Sequence, residues 1–290
     1  MSTSVARVTA GSDFRRIEAL VLDAVQSPGT RTMYAKGLGD FFQWWEESGR
    51  PPFTRESVQA HRTMLQGLKY APSTVNQRLA AIKKLAREAA ANGLLSAEAA
   101  ASIQAVEGAK ESGRRVGKWL EPEQAAALID APDIETMKGK RDRAVLALLV
   151  GCGLRRGEAS NLTLGHIQER AGRVLIVDMR GKHGRIRTMT MPDWVYAAVH
   201  QWSTAAGIRR SQERVLRSIA RRRVRDDQGR FVPGQYTDVV GDSLTPEAIL
   251  LIVAGYSRKL GFGSTKPHDL RRYAECRIMP NRGQDLRFGA

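Results

Sequence analysis

The stretch GAKESGRRVGK, residues 108–118, constrains this chain more than any other. It is polar, it has no hydrophobic periodicity, and glycine recurs at positions 108, 113 and 117. Backbone of that kind resists incorporation into a helix or strand and reads as a linker. On its N-terminal side, from Phe14 to about Val106, apolar residues repeat at helical spacing throughout. On its C-terminal side helical and strand-like patterns alternate. With 290 residues there is enough chain for a core on each side of the break. The expected organisation is a loose polar lead over 1–15, a helical domain over 16–107, the linker over 108–118 and a mixed domain over 119–290.

Within the first domain, RTMYAKGLGDFFQWWEESG places Tyr34, Leu38, Phe41, Phe42 and Trp45 on one stripe and stops at Gly49 before Pro51 and Pro52. A second helix is expected around TRESVQAHRTMLQGL. A third is expected in APSTVNQRLAAIKKLAREAAANG, where Thr74 and Gln77 have capping-box spacing and Gly93 marks the end. Its residues Val75, Leu79, Ile82, Ala86 and Ala89 repeat at core spacing. Asn76, Arg78, Lys83, Lys84 and Arg87 fall largely elsewhere and form a basic, amide-bearing face.

The chain carries 46 Lys+Arg against 30 Asp+Glu, a net charge of +16. An excess of this size favours a polyanionic partner, because each phosphate neutralised releases condensed counterions. Nucleic acid is therefore preferred over a merely basic surface, and a membrane surface ranks below both. With that charge, the helical face carrying Thr74, Asn76, Arg78, Lys83 and Arg87 is expected to meet duplex DNA. The two cysteines, Cys152 and Cys276, have neither metal-ligand nor CxxC spacing, so a reducing compartment and the cytoplasm are expected. The longest apolar run, AVLALLVGCGL, is too short to cross a bilayer, and the N-terminus lacks the apolar core of a signal peptide.

In the second domain, Pro122 in LEPEQAAALIDA stands just inside a helix start, and 141–154 reads as a buried core helix. GRVLIVDM (172–179) and RIRTMTMP (185–192) read as the two strands of a β-hairpin, with Lys182 near the tip. Helices return at DWVYAAVHQWSTAAG and TPEAILLIVAGYSRKLG. The arginine-rich segment between them, RRSQERVLRSIARRRVRDDQGRFVPG, is expected to loop out.

Three segments carry candidate chemistry: GCGLRRGEASNL (151–162), RGKHGRIR (180–187) and HDLRR (268–272). A phosphodiester under attack gains negative charge on its nonbridging oxygens. Two arginine forks can clamp those oxygens and stay protonated at any working pH. A lysine can protonate a leaving hydroxyl, and a histidine can assist proton movement at the attacking oxygen. Each residue alone is more commonly an ordinary surface or structural group. The order and element types in combination are the specific signal.

Those boxes resemble the signature motifs of the tyrosine recombinases, the phage-integrase family, and the resemblance covers nearly the whole chain. SPGTRTMYAKGLGDFFQWW and APSTVNQRLAAIKKL are similar to the family's core-binding, SAM-like helices. KRDRAVLALLVGCGLRRGE is similar to the opening of its catalytic domain. The resemblance implies a mainly α fold with a small antiparallel sheet, arranged as a two-domain clamp on double-stranded DNA. It also implies strand cleavage and rejoining through a phosphotyrosyl link, with no metal or cofactor and with other protomers as possible partners. It assigns Arg155 and Arg271 as the catalytic arginines, Lys182 as general acid, His268 as the histidine of the H-x-x-R box and Glu158 as the supporting acid. Arg156 is a neighbour without a catalytic assignment.

The nucleophile is the missing piece. In the family it follows the second arginine on a later helix, whereas here the last tyrosine is Tyr273. Two positions from Arg271 on a helix it points roughly 200° away, at ~100° per residue, and reads as a packing residue. The mixed domain is thus expected to be incomplete at its C-terminus, and the chain unable to cleave alone. A non-catalytic DNA-binding accessory or competitor at recombination sites, or a decayed remnant, are the alternatives. No HExxH, GxSxG, calcium-loop or P-loop motif points to another enzyme class.

Overall fold

The computed structural model describes residues 11–110, 120–181, 186–263 and 265–278. The chain divides into two compact units, Met1–Arg115 and Val116–Ala290.

The first unit is all helical: α1 Gly11–Asp23, α2 Pro28–Glu47, α3 Arg55–Gly67, α4 Pro72–Ala91 and α5 Ala97–Gln104. Local chemistry sets the helix starts. Ser27 accepts from the Thr30 amide with Pro28 at the first turn of α2. At α3, Thr54 and Ser57 bond reciprocally, the Ser57 hydroxyl accepting from the Thr54 amide at 3.1 Å. The capping box expected at Thr74 and Gln77 does not form. α4 starts earlier, after Ala71, because Pro72 fixes φ for the first turn and lacks the amide that a cap would have to satisfy. Gly93 (φ 72°) ends α4 as expected, and the Leu94 amide reaches back to the Ala89 carbonyl at 2.9 Å. The core joins Ile17 and Val21 of α1, Leu38 and Phe41 of α2, and Leu79, Ile82 and Leu85 of α4.

The second unit is built around α7, Met137–Gly151, whose segment Ala144–Val150 is wholly buried. Around it pack α6 Pro122–Asp130, α8 Arg156–Asn161, α9 Asp193–Ala205, α10 Pro246–Lys259 and α11 Pro267–Ile278. Gly151 lets α7 approach α9 closely: a Cβ there would lie 2.4 Å from Val195 Cγ2 and 2.7 Å from the Trp194 ring. The hairpin expected from GRVLIVDM and RIRTMTMP is present as β2 Arg173–Arg180 and β3 Ile186–Thr190. Its tip, 182–185, lies outside the described residues. A further strand, β1 Ile167–Arg170, adds to β2 and makes a three-stranded antiparallel sheet in the order β1-β2-β3.

The segment expected to loop out is instead folded. β4 Ile219–Arg225 and β5 Phe231–Val240 form a separate antiparallel ribbon. The turn explains it. Asp226 Oδ1 accepts from the amides of Gln228 and Arg230, and Gly229 takes φ 78°, so DDQG reverses the chain.

Candidate phosphate-binding site

The apolar helix α7 ends at Cys152, and Gly153 turns the chain at φ 58°. A Cβ on Gly153 would sit 3.1 Å from Ala274 Cβ, so a bare α-carbon is needed both for the turn and for contact with α11. The turn delivers Arg155 to the N-cap of α8, where Glu158 Oε2 accepts from the Arg155 amide at 2.8 Å.

Glu158 is the hub. It is 6% exposed, and arginines from three separate elements surround its carboxylate. Arg155 Nη1 donates to Oε1 at 2.8 Å, Arg187 Nη2 from β3 donates to Oε2 at 2.5 Å, and Arg271 Nη1 from α11 lies 3.7 Å from Oε2. Arg271 is itself fixed by donating to the Gly153 carbonyl at 2.8 Å and pairing with Glu275 at 2.5 Å. One buried carboxylate cannot neutralise three guanidiniums. Glu275 offsets part of the remainder from a half-exposed position, and the side chain of Arg155 stays 49% exposed. The cluster carries more guanidinium than carboxylate charge, with Arg155 open to water and Arg271 nearly buried behind it, and an excess of fork-shaped donors of this kind suits a tetrahedral oxyanion.

Arg155, Glu158 and Arg271, all named from the sequence, therefore converge. Arg156 points its charge elsewhere, 3.9 Å from Glu247. His268 stands in the first turn of α11, three residues before Arg271, is exposed and has no hydrogen-bond partner among the described residues. Lys182 lies outside the described residues. Arg187 was missed. Arg187 shares the half-buried side of β3 with Met189, and strand alternation alone does not mark a cation there as part of a site. Tyr273 is 8% exposed and belongs to the apolar core.

Three of the five α4 residues expected to meet DNA have partners within their own unit. Asn76 accepts from the Ala109 amide at 2.6 Å and donates to the Ala109 carbonyl at 3.0 Å. That grip needs glycine at 108, where a Cβ would lie 2.7 Å from Asn76 Oδ1. Arg78 is buried, 2.6 Å from Asp40 and 4.2 Å over the Tyr70 ring. Lys83 donates to the Val106 carbonyl at 2.7 Å, and burial lowers its pKa. Thr74 is half-buried, and Arg87 is exposed without a partner among the described residues. No group of three or more His, Cys, Asp or Glu is placed to hold a metal ion among the described residues. No described helix is long and apolar enough to cross a membrane.

Helices packed on a central apolar helix, a small antiparallel sheet and an arginine cluster on a buried glutamate together define an integrase-type fold. The phage integrase family model matches residues 118–288, and the chain belongs to that family. Among relatives, tyrosine recombinase slr0733 of Synechocystis sp. is 31% identical over 217 residues, 71% of this chain and 67% of that protein. Tyrosine recombinase XerC of Pseudomonas putida is 26% identical over 258 residues, 88% of this chain and 77% of that one. Among solved structures, a lambda integrase tetramer bound to a Holliday junction matches 91% of this chain and 70% of its own, with TM-score 0.61 and 14% identity. The XerH site-specific recombinase bound to difH substrate matches 93% and 73%, with TM-score 0.59 and 13% identity. At these identities the structural likeness establishes the fold.

Proposed function

We propose that this chain is a site-specific DNA recombinase of the tyrosine-recombinase type, built to hold a scissile phosphate in duplex DNA for strand cleavage and rejoining. The observation that carries the reading is the convergence of Arg155, Arg187 and Arg271 on the buried Glu158. Arg155 and Arg271 grip nonbridging oxygens as charge accumulates in the transition state, while Glu158 and Arg187 hold the forks in place before substrate arrives. Lys182 protonates the leaving 5′-hydroxyl, and His268 moves a proton at the attacking oxygen. Double-stranded DNA and further protomers as partners are supported by the lambda integrase tetramer solved on a Holliday junction and by XerH solved on difH. Residues 16–107 serve as the core-binding domain, with Arg87, exposed on α4 and without a partner among the described residues, available to meet DNA.

Tyr273 is the last tyrosine of the 290 residues, and its ring is buried. That burial keeps Tyr273 itself from attacking a phosphate gripped by the arginine cluster. The same observation favours a second reading, occupancy of recombination sites in competition with a cleaving relative. The test is a nicked suicide duplex incubated with the purified polypeptide. Salt-sensitive binding with no covalent adduct is expected. A 3′-phosphotyrosyl adduct would refute the absence of cleavage, and failure to bind duplex DNA at low salt would refute the whole reading.

A further inference from the structure

The β4–β5 ribbon takes no part in the Glu158 site. Its open end is anchored by the cross-strand pair Ile219 and Val240, which pack on the core of the second unit. Beyond that root Arg221, Arg222, Arg223 and Arg225 are all exposed. Paired residues share a face of a ribbon, and the register sets Arg223 opposite Tyr236 and Arg225 opposite Phe231. The guanidiniums lie against those rings: Arg221 is 4.5 Å from the Tyr236 centroid, and Arg225 is 4.0 Å from that of Phe231. Among the described residues, Arg221, Arg222 and Arg223 have no carboxylate within ion-pair distance, although Asp238 stands opposite Arg221 in register.

Such a surface is costly unless something anionic covers it. Like charges two residues apart on a strand repel, and Phe231 and Tyr236 are 50% and 46% exposed. The stacked rings hold each guanidinium plane in place while leaving its edge donors open. Alternate strand residues rise by about 6.7 Å, close to two base-pair steps of about 3.4 Å each. A two-stranded ribbon is also narrow enough to enter the major groove.

We propose that the β4–β5 ribbon is a second duplex-DNA contact, with Arg221, Arg223 and Arg225 on phosphates flanking the one held at Glu158. This rests on the DNA-recombinase reading, and its occupant is a flank of the same duplex. The experiment compares the full chain with its Arg221→Gln/Arg223→Gln/Arg225→Gln variant by fluorescence anisotropy on a mixed-sequence duplex across a salt series. Each phosphate contact contributes about 0.9 to the slope of log K against log salt, so the variant's slope is expected to be shallower by about 2.7. The altered side chains are exposed, so thermal melting should be unchanged and guards against misfolding. Binding by the unmodified chain with an unchanged slope in the variant would overturn the ribbon contact alone, leaving its cations for an acidic protein surface. An equal loss of slope on removing Arg31, Arg50 and Lys84, each paired with a carboxylate, would overturn it in favour of diffuse net charge. No binding by the unmodified chain would overturn this contact together with the recombinase reading.

Discussion

His61 couples the stability of the first unit to pH. Its ring is 1% exposed, edge-on to Phe41 at 5.1 Å and 4.9 Å from the Trp44 ring, and neither ring nitrogen has a hydrogen-bond partner among the described residues. Burial, and next the positive charge of Arg78, lower its pKa to about 4, against a smaller raising effect from Asp40. The folded state keeps His61 neutral while the unfolded chain protonates it near pH 6.5. The unfolded state thus binds more protons between about pH 4 and 6.5, and stability falls as pH drops through that window. Working from those two pKa values, His61 costs the fold about 0.1 kcal/mol at pH 7.5, about 0.8 at pH 6 and about 2 at pH 5. Replacing it in His61→Leu removes the titration and adds a pH-independent packing offset. Native-state hydrogen exchange on peptides from α2, α3 and α4, corrected for intrinsic rates, reads the opening free energy of this unit. The difference between variant and unmodified chain should move by about 2 kcal/mol, in favour of the variant, from pH 7.5 to pH 5. Parallel pH profiles, or a His61 resonance titrating near the ordinary histidine value, would refute the reasoning.

Two further outcomes follow from the second unit. Glu158→Gln leaves three arginines around a neutral amide, and losing one partner of a buried charge cluster should lower stability by about 3 kcal/mol, read as a reduced urea midpoint; an unchanged midpoint would show that the arginines do not depend on that carboxylate. Cys152 is buried with its thiol pushed up to about 12, whereas Cys276 is exposed. A thiol-reactive chromophore should therefore label one cysteine in the folded protein and two in denaturant, and two rapid equivalents in the folded state would contradict the burial.

What could be read from the sequence was what neighbouring residues decide among themselves. Pro28, Thr54 and Pro122 open helices because φ restriction and side-chain caps act within a turn. The β2–β3 hairpin follows from alternation around RGKHG, and the net charge is a sum needing no fold at all. Even the misreadings were local: the Asp226–Gly229 turn and the proline start of α4 were present in the sequence but were outweighed by other signals.

The site itself depends on distance in space. Glu158 meets Arg187 across 29 residues of chain, and Arg271 meets the Gly153 carbonyl across 118. Nothing in the sequence distinguishes Arg187 from the other exposed cations until β3 docks beside α8. The same holds for His61, Arg78 and Asn76, which have the residue types of a binding face and are instead taken up by ring packing, an Asp40 pair and the backbone of Ala109. The sequence by itself determined several of the helices, the β2–β3 hairpin and the family's boxes, because propensity and patterning act over a few residues. Only the tertiary structure decided which charges are free and which are neutralised, because desolvation and Coulomb interactions follow separation in space and take no account of order along the chain.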